Sequence, residues 1–299
     1  MLGERFYLPY LTRLFASDVD VDRCDFILRD AYQSGVAYGR YDLNWLVSTI
    51  TVGMDAASDE PVLGFDLHKA VPVVEQLLIA RRALYDTVYY HRAVRSAEGM
   101  VGLLLRRTHE LSSADRRFLD RIRGFDVLAK AIAGDALSRD EVLELDDYAL
   151  WVFIRRLQTD VDDLAVRELA RRVYERDLFK PVPVSPQRLD QLLTSDNEST
   201  MKRVDAVLAS CGYVQSSSFR FVDHAHFSFF HGEDREGSWF IDTRDRQRRG
   251  QPISTHEALI HHPRGRRVTK TLYVPREAVQ RVADALEPRR AIKANQLTS

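Results

Sequence analysis

Cysteine is nearly absent from this sequence. Only Cys24 and Cys211 occur, both in apolar surroundings, which excludes a disulfide framework and a cysteine zinc spacing and suits a reducing cytoplasm. Charge imbalance is nearly absent too. Lys+Arg 43 against Asp+Glu 44 leaves a net charge of −1, so nothing global points to nucleic acid or to an acidic tail. No run approaches the ~18 apolar residues of a membrane-spanning helix. The opening MLGERFYLPYLTRLFAS is broken by charges and lacks a cleavage-site pattern, so it does not read as a signal peptide. GxSxG, P-loop and GxGxxG strings are missing, which leaves those hydrolase, NTPase and dinucleotide readings without support. Histidine is missing before His68, and no His-Asp dipeptide occurs anywhere.

What is present is an ordinary globular composition, 45% hydrophobic and 29% charged over 299 residues, enough for one large domain or two of common size. Residues 4–16 have helical apolar spacing. Residues 43–50 read as a short helix capped by Asp42. TVGMDAASDEPVLGFD reads as a strand pair or an irregular excursion joined by a turn. The longest periodic segment, 69–108, reads as one helix with Pro72 in its first turn. Residues 112–134, 138–157 and 161–178 read as three more helices. Pro181, Pro183 and Pro186 mark a boundary. Beyond it come helices at 186–193 and 198–210, strands within 213–231, 238–243 and 268–274, and a closing helix at 276–286. The fold class is therefore mainly α through about residue 180, with a smaller α+β lobe at 181–299.

The most informative stretch is SDVDVDRCDFILRDAYQSGVAYGRYD, residues 17–42. As a helix from Val21, it carries one apolar stripe (Val21, Cys24, Ile27, Leu28) and a second of Asp22, Phe26 and Arg29. Asp22 and Asp30 stand about 12 Å apart at ~1.5 Å per residue, a separation that suits the two ends of a nucleotide-sized ligand. Acidic residues at a helix start also serve simply as caps. In the long helical segment, Arg81, Tyr85, Tyr89 and Arg92 recur at steps of four, four and three. Asp223, His224, His226 and His231 invite a metal reading, although the spacing fits no common zinc motif. His261, His262, Arg264, Arg266 and Arg267 form a basic segment that reads as a solvated loop or as a contact for a phosphate or a polynucleotide.

The strings DVDRCDFILRDAYQSGVAYGRYDL and ARRALYDTVYYHRAVRSAE resemble the HD-domain phosphohydrolases, in particular the branch of the dNTP triphosphohydrolases. LDDYAL and the Leu-Phe-Lys element at 178–180 recur there as well. The resemblance implies a helical body and a set of roles. Asp22 would be a metal ligand. Arg23 and Arg81 would hold phosphates, Asp30 and Tyr89 the sugar. Phe26 and Tyr85 would belong to the substrate pocket, at positions where the family often has Tyr and His. The implied activity is metal-dependent hydrolysis of a dNTP to nucleoside and triphosphate, with Mg, Mn, Fe or Zn as the divalent metal. Family members are often oligomers.

The family's His and His-Asp metal ligands, and its catalytic His, lie upstream of this stretch in the usual layout, and this chain has no counterpart for them. No catalytic residue is therefore assigned, and the metal is expected only if its missing ligands are supplied. Three alternatives follow: a fragment, one half of a split enzyme whose partner chain carries the H…HD segment, or a non-catalytic nucleotide-binding or oligomerisation module. The expected partners are a dNTP and either a second copy or that partner chain, in the cytoplasm, without membrane or nucleic acid.

Overall fold

The structure, a computed structural model, describes residues 8–122, 124–230, 237–259 and 267–287. The chain is mainly helical, with two small sheets. A 3-10 turn at Pro9–Leu14 is followed by α1 (Val21–Ser34), α2 (Leu43–Ser48), β1 (Ile50–Asp55), β2 (Pro61–Asp66) and α3 (Leu67–Leu84). A π-helical turn, Tyr85–Tyr89, leads to α4 (Arg92–Ala114), α5 (Asp126–Ala133), α6 (Arg139–Leu143), α7 (Asp147–Leu157) and α8 (Leu164–Tyr174). The chain ends with β3 (Lys180–Pro181), α9 (Pro186–Ser210), β4 (Phe221–Phe227), β5 (Trp239–Ile241), β6 (Arg249–Pro252), β7 (Arg267–Val274) and α10 (Val279–Leu286). No described helix is long and apolar enough to cross a membrane.

The helix starts are written in short polar side chains. Asp20, Asp42, Asp66, Ser138, Asp146, Asp163 and Ser185 each accept a backbone N–H from the first turn of the helix that follows, satisfying donors that have no intrahelical partner. Gly35 ends α1 in the left-handed region, φ 73°, where a side chain would be strained.

The chain packs as two units, 1–91 with 225–268 and 92–224 with 269–299. In the first, β1 and β2 form the expected hairpin, with Val52 opposite Leu63. β5 pairs with β2 in parallel and β6 with β1 in parallel, closing a four-stranded barrel of order β1-β2-β5-β6. Closure depends on Gly64, whose absent Cβ would lie 2.5 Å from the carbonyl oxygen of Trp239. Beside the barrel, α1 and α3 bury Ile27, Ala31, Val74, Leu77, Leu78 and Leu84 with Phe227, Phe229 and Phe240. In the second unit α4, α7, α8, α9 and α10 enclose a separate core around Met100, Leu104, Phe153, Val166, Leu169 and Leu208. The second sheet has the order β3-β7-β4.

Several expectations need correction. The segment 69–108 is two helices rather than one. The amide of Tyr90 donates to the carbonyl of Tyr85 at 2.9 Å, a bond that widens the turn by one residue and ends α3. Arg92 therefore starts a new helix and does not continue the Arg81 face. Pro72 lies in the second turn of α3, because capping by Asp66 starts that helix earlier. Segment 112–134 breaks at a 3-10 turn capped by Asp115, and 138–157 breaks at the Asp146 cap. The described part of 4–16 is a 3-10 turn. β6 was not anticipated. The prolines at 181–186 do not separate the units: Pro181 pairs with Tyr273, and the amide of Val182 donates to Leu272. The division falls at the interrupted helix, at 91–92.

Candidate functional site

The residues singled out in α1 and α3 meet inside the first unit. At the start of α1, the Asp20 carboxylate accepts both the amide of Arg23 (2.8 Å) and its guanidinium (2.7 Å). The cap thus also fixes the arginine. Two turns further on, Asp30 accepts the hydroxyl of Tyr89 at 2.6 Å. Phe26, between these two points on α1, meets the Tyr89 ring edge-on with centroids 6.2 Å apart, and Tyr85 meets it at 5.0 Å. The hydroxyl of Tyr38 donates to Thr87 at 2.6 Å, tying the segment after α1 to the same π-helical turn.

Arg81 is the most enclosed cation of the group, only 5% exposed. One of its terminal nitrogens donates to the carbonyl of Phe229 at 3.0 Å, and its guanidinium lies over the rings of Tyr85 and Phe227 at 5.5 and 5.6 Å. Its Nε is buried with no hydrogen-bond partner among the described residues. Burial lowers the pKa of Arg81, and the charge of Arg23 adds to the effect, against opposing contributions from Tyr85 and Asp18. Two guanidiniums that disfavour each other, one carrying an unanswered donor, form a region suited to an anion. Burial, followed by the bond to Asp30, raises the pKa of the Tyr89 phenol, so Tyr89 stays a neutral donor.

Asp22 points elsewhere. It is exposed in the first turn of α1. Among the described residues, no group of three or more His, Cys, Asp or Glu side chains could hold a metal ion. Asp223 is engaged by Arg95, whose Nε lies 3.1 Å from both carboxylate oxygens. His224 and His226 lie on β4, and His231, His261, His262, Arg264 and Arg266 lie outside the described residues. The sequence reading missed the aromatic wall of Phe227 and Phe229 and the grip of Asp20 on Arg23. The latter has a local signal, a cap residue three positions before an arginine; the former is a long-range contact with none. Also in the first unit, a cavity of about 290 Å³ opens between the start of α1 and the barrel, lined mainly by Val21, Leu46, Val47, Ile50 and Phe65.

No known family profile matches the chain. An uncharacterised protein of Bacillus subtilis, YwfO, is 24% identical over 283 residues, covering 93% of this chain and 60% of that protein. An uncharacterised protein of Methanocaldococcus jannaschii is 26% identical over 225 residues, covering 70% of this chain and 48% of that protein. The chain thus spans between about half and three fifths of these curated relatives. Among solved structures, a phosphohydrolase from Bacteroides thetaiotaomicron superposes with a TM-score of 0.60 at 19% identity, over 91% of this chain and 64% of that one. The chain therefore shares the fold of that phosphohydrolase.

Proposed function

We propose that the first unit holds a nucleoside triphosphate as part of an HD-type, metal-dependent phosphohydrolase similar to the dNTP triphosphohydrolases. One observation carries this reading. The buried, incompletely bonded guanidinium of Arg81 lies on α3 eight residues before Tyr89, about 12 Å along a helix, and Tyr89 is bonded to Asp30. The spacing suits phosphate at Arg81 and Arg23, sugar at Asp30 and Tyr89, and Phe26 and Tyr85 as the wall between them. An arginine supplies the planar fork that phosphate oxygens accept, and a carboxylate accepts a sugar hydroxyl. The fold shared with a phosphohydrolase supports the same reading.

The described residues do not by themselves fit the metal. Asp22 is a single exposed carboxylate, and a transition ion takes three or more protein ligands. In this reading Asp22 is one ligand of a set completed by another segment or chain, and hydrolysis by this chain alone is not expected. The same observation supports the second reading, a nucleotide-binding module without turnover. Titration with a fluorescent dATP analogue tests the binding. Saturable binding lost in Arg81→Ala and Asp30→Ala is expected, and folded protein that binds no nucleotide at millimolar concentration refutes it. Co-expression with a chain carrying the H…HD segment, followed by a Mn²⁺-dependent triphosphate-release assay, separates the two readings.

A further inference from the structure

The outer face of α7 is a finished contact surface without a described occupant. The helix buries Phe153, Ile154 and Leu157 in the second unit. On the opposite face Tyr148 is 82%, Trp151 48% and Val152 50% exposed, and Arg155 is exposed beside them. Positions 148, 151, 152 and 155 form one stripe at helical spacing. A solvated helix face places polar residues there; this one places two large aromatics and an arginine, the residue types that dominate protein contacts. Among the described residues, no hydrogen bond or ion pair engages the Tyr148 hydroxyl, the Trp151 indole, the Arg155 guanidinium or the Asp147 carboxylate. A shallow groove lined by Val152, Arg155, Gln158, Thr159 and Tyr174 continues the surface.

We propose that this face pairs with the same face of a second copy, the two α7 helices running antiparallel about a two-fold axis between Trp151 and Val152. Charge and symmetry carry the choice of occupant. α7 carries Asp147 in its first turn and Arg155 and Arg156 in its last, so antiparallel pairing sets each acidic start against the basic end of the other copy. The stripe is self-complementary about its centre: Tyr148 and Arg155 are equidistant from the axis. Each Tyr148 ring then faces the Arg155 guanidinium of the second copy, a cation–π pairing, with Asp147 in reach of that same arginine. Trp151 packs against Trp151 of the second copy. An isologous contact of this kind closes on itself and stops at a dimer.

Sedimentation equilibrium of the full chain across the micromolar range tests the proposal. Wild type is expected to dimerise, and Trp151→Glu to weaken association by on the order of tenfold or more. Asp147→Arg alone sets like charges against Arg155, and Arg155→Asp alone sets them against Asp147, so each should weaken the dimer. The double variant should restore it, and the two single variants mixed together should form a heterodimer. Far-UV circular dichroism checks that each variant folds. A wild type that stays monomeric, or a dimer whose constant is unmoved by Trp151→Glu and by the single charge reversals, overturns the proposal.

Discussion

The Tyr89 hydroxyl donates to the Asp30 carboxylate across 59 residues of sequence at 2.6 Å, joining α1 to the π-helical turn that ends α3. The bond holds the inner end of the candidate site in place before any ligand arrives. Tyr89→Phe keeps the ring contacts with Phe26 and Tyr85 and removes only the donor. A bond to a charged, partly exposed acceptor contributes about 1–2 kcal/mol. Thermal unfolding should fall by roughly 2–4 °C for a chain of this size, while Phe26→Leu should leave the bond, and hence the Asp30 contribution, intact.

Arg81 should separate stability from binding. It is a buried cation in an aromatic setting, and replacing such a group with an apolar side chain of similar size is often neutral or stabilising. Arg81→Met is therefore expected to unfold at or above the wild-type temperature while losing at least about tenfold in dATP-analogue affinity, the value of one charge-assisted phosphate contact. A destabilised Arg81→Met with unchanged affinity would make the residue purely structural. Arg81→Lys retains the charge but not the planar fork and should also bind more weakly.

Asp223 illustrates how a residue type misleads when its partner is far away in sequence. Beside His224 and His226 it resembled a metal ligand; in the fold it receives the Arg95 guanidinium 128 residues away. Removing its charge takes from the partly buried Arg95 its buried partner and leaves it the exposed Glu98. Asp223→Asn should cost about 3 kcal/mol in a urea titration, and the double change Asp223→Leu with Arg95→Met should recover much of that loss.

The acid limb of the stability curve should carry the signature of Glu141. Its bond to Lys130, then those to Ser138, hold its carboxyl down at about 2, against an ordinary 4.5. A depressed folded-state value means that the stabilisation is present above about pH 4.5 and is lost progressively as the pH falls toward 2. Glu141→Gln should therefore be less stable than wild type near neutrality, and the gap should close across that interval, as read by urea midpoints at successive pH values.

The barrel gives the sharpest steric test. A methyl at Gly64 would sit 2.5 Å from a backbone oxygen of β5, and no rotamer change relieves a backbone clash. Gly64→Ala should cost more than about 2 kcal/mol, detected as a lower thermal midpoint.

Local signals in the sequence were read well. The cap at Asp42, the hairpin in TVGMDAASDEPVLGFD and the break near Asp196 within α9 all depend on residues a few positions apart. The signals that failed were continuous helical periods. Apolar spacing persists through 69–108 although the backbone bond at Tyr85 and Tyr90 interrupts it, because periodicity reports which residues are apolar and not where the hydrogen-bond ladder breaks. In the candidate site, Arg81, Tyr89 and Asp30 were legible through resemblance. The walls supplied by Phe227 and Phe229, and the pairing of β6 with β1, rest on contacts between distant segments, and a pattern read along the chain does not contain them.

The barrel strands have a consequence for synthesis. β1 and β2 leave the ribosome well ahead of their partners, which belong to a hairpin far downstream: Thr243 meets Asp66 across 177 positions. At about 5–20 residues per second, the first hairpin waits roughly nine to thirty-five seconds with both edges unpaired. Helices α4, α7, α8 and α9 of the second unit's core are made in that interval, whereas α10 follows the barrel strands. The hairpin's edges are therefore covered by β5 and β6 before α10 completes the core of the second unit.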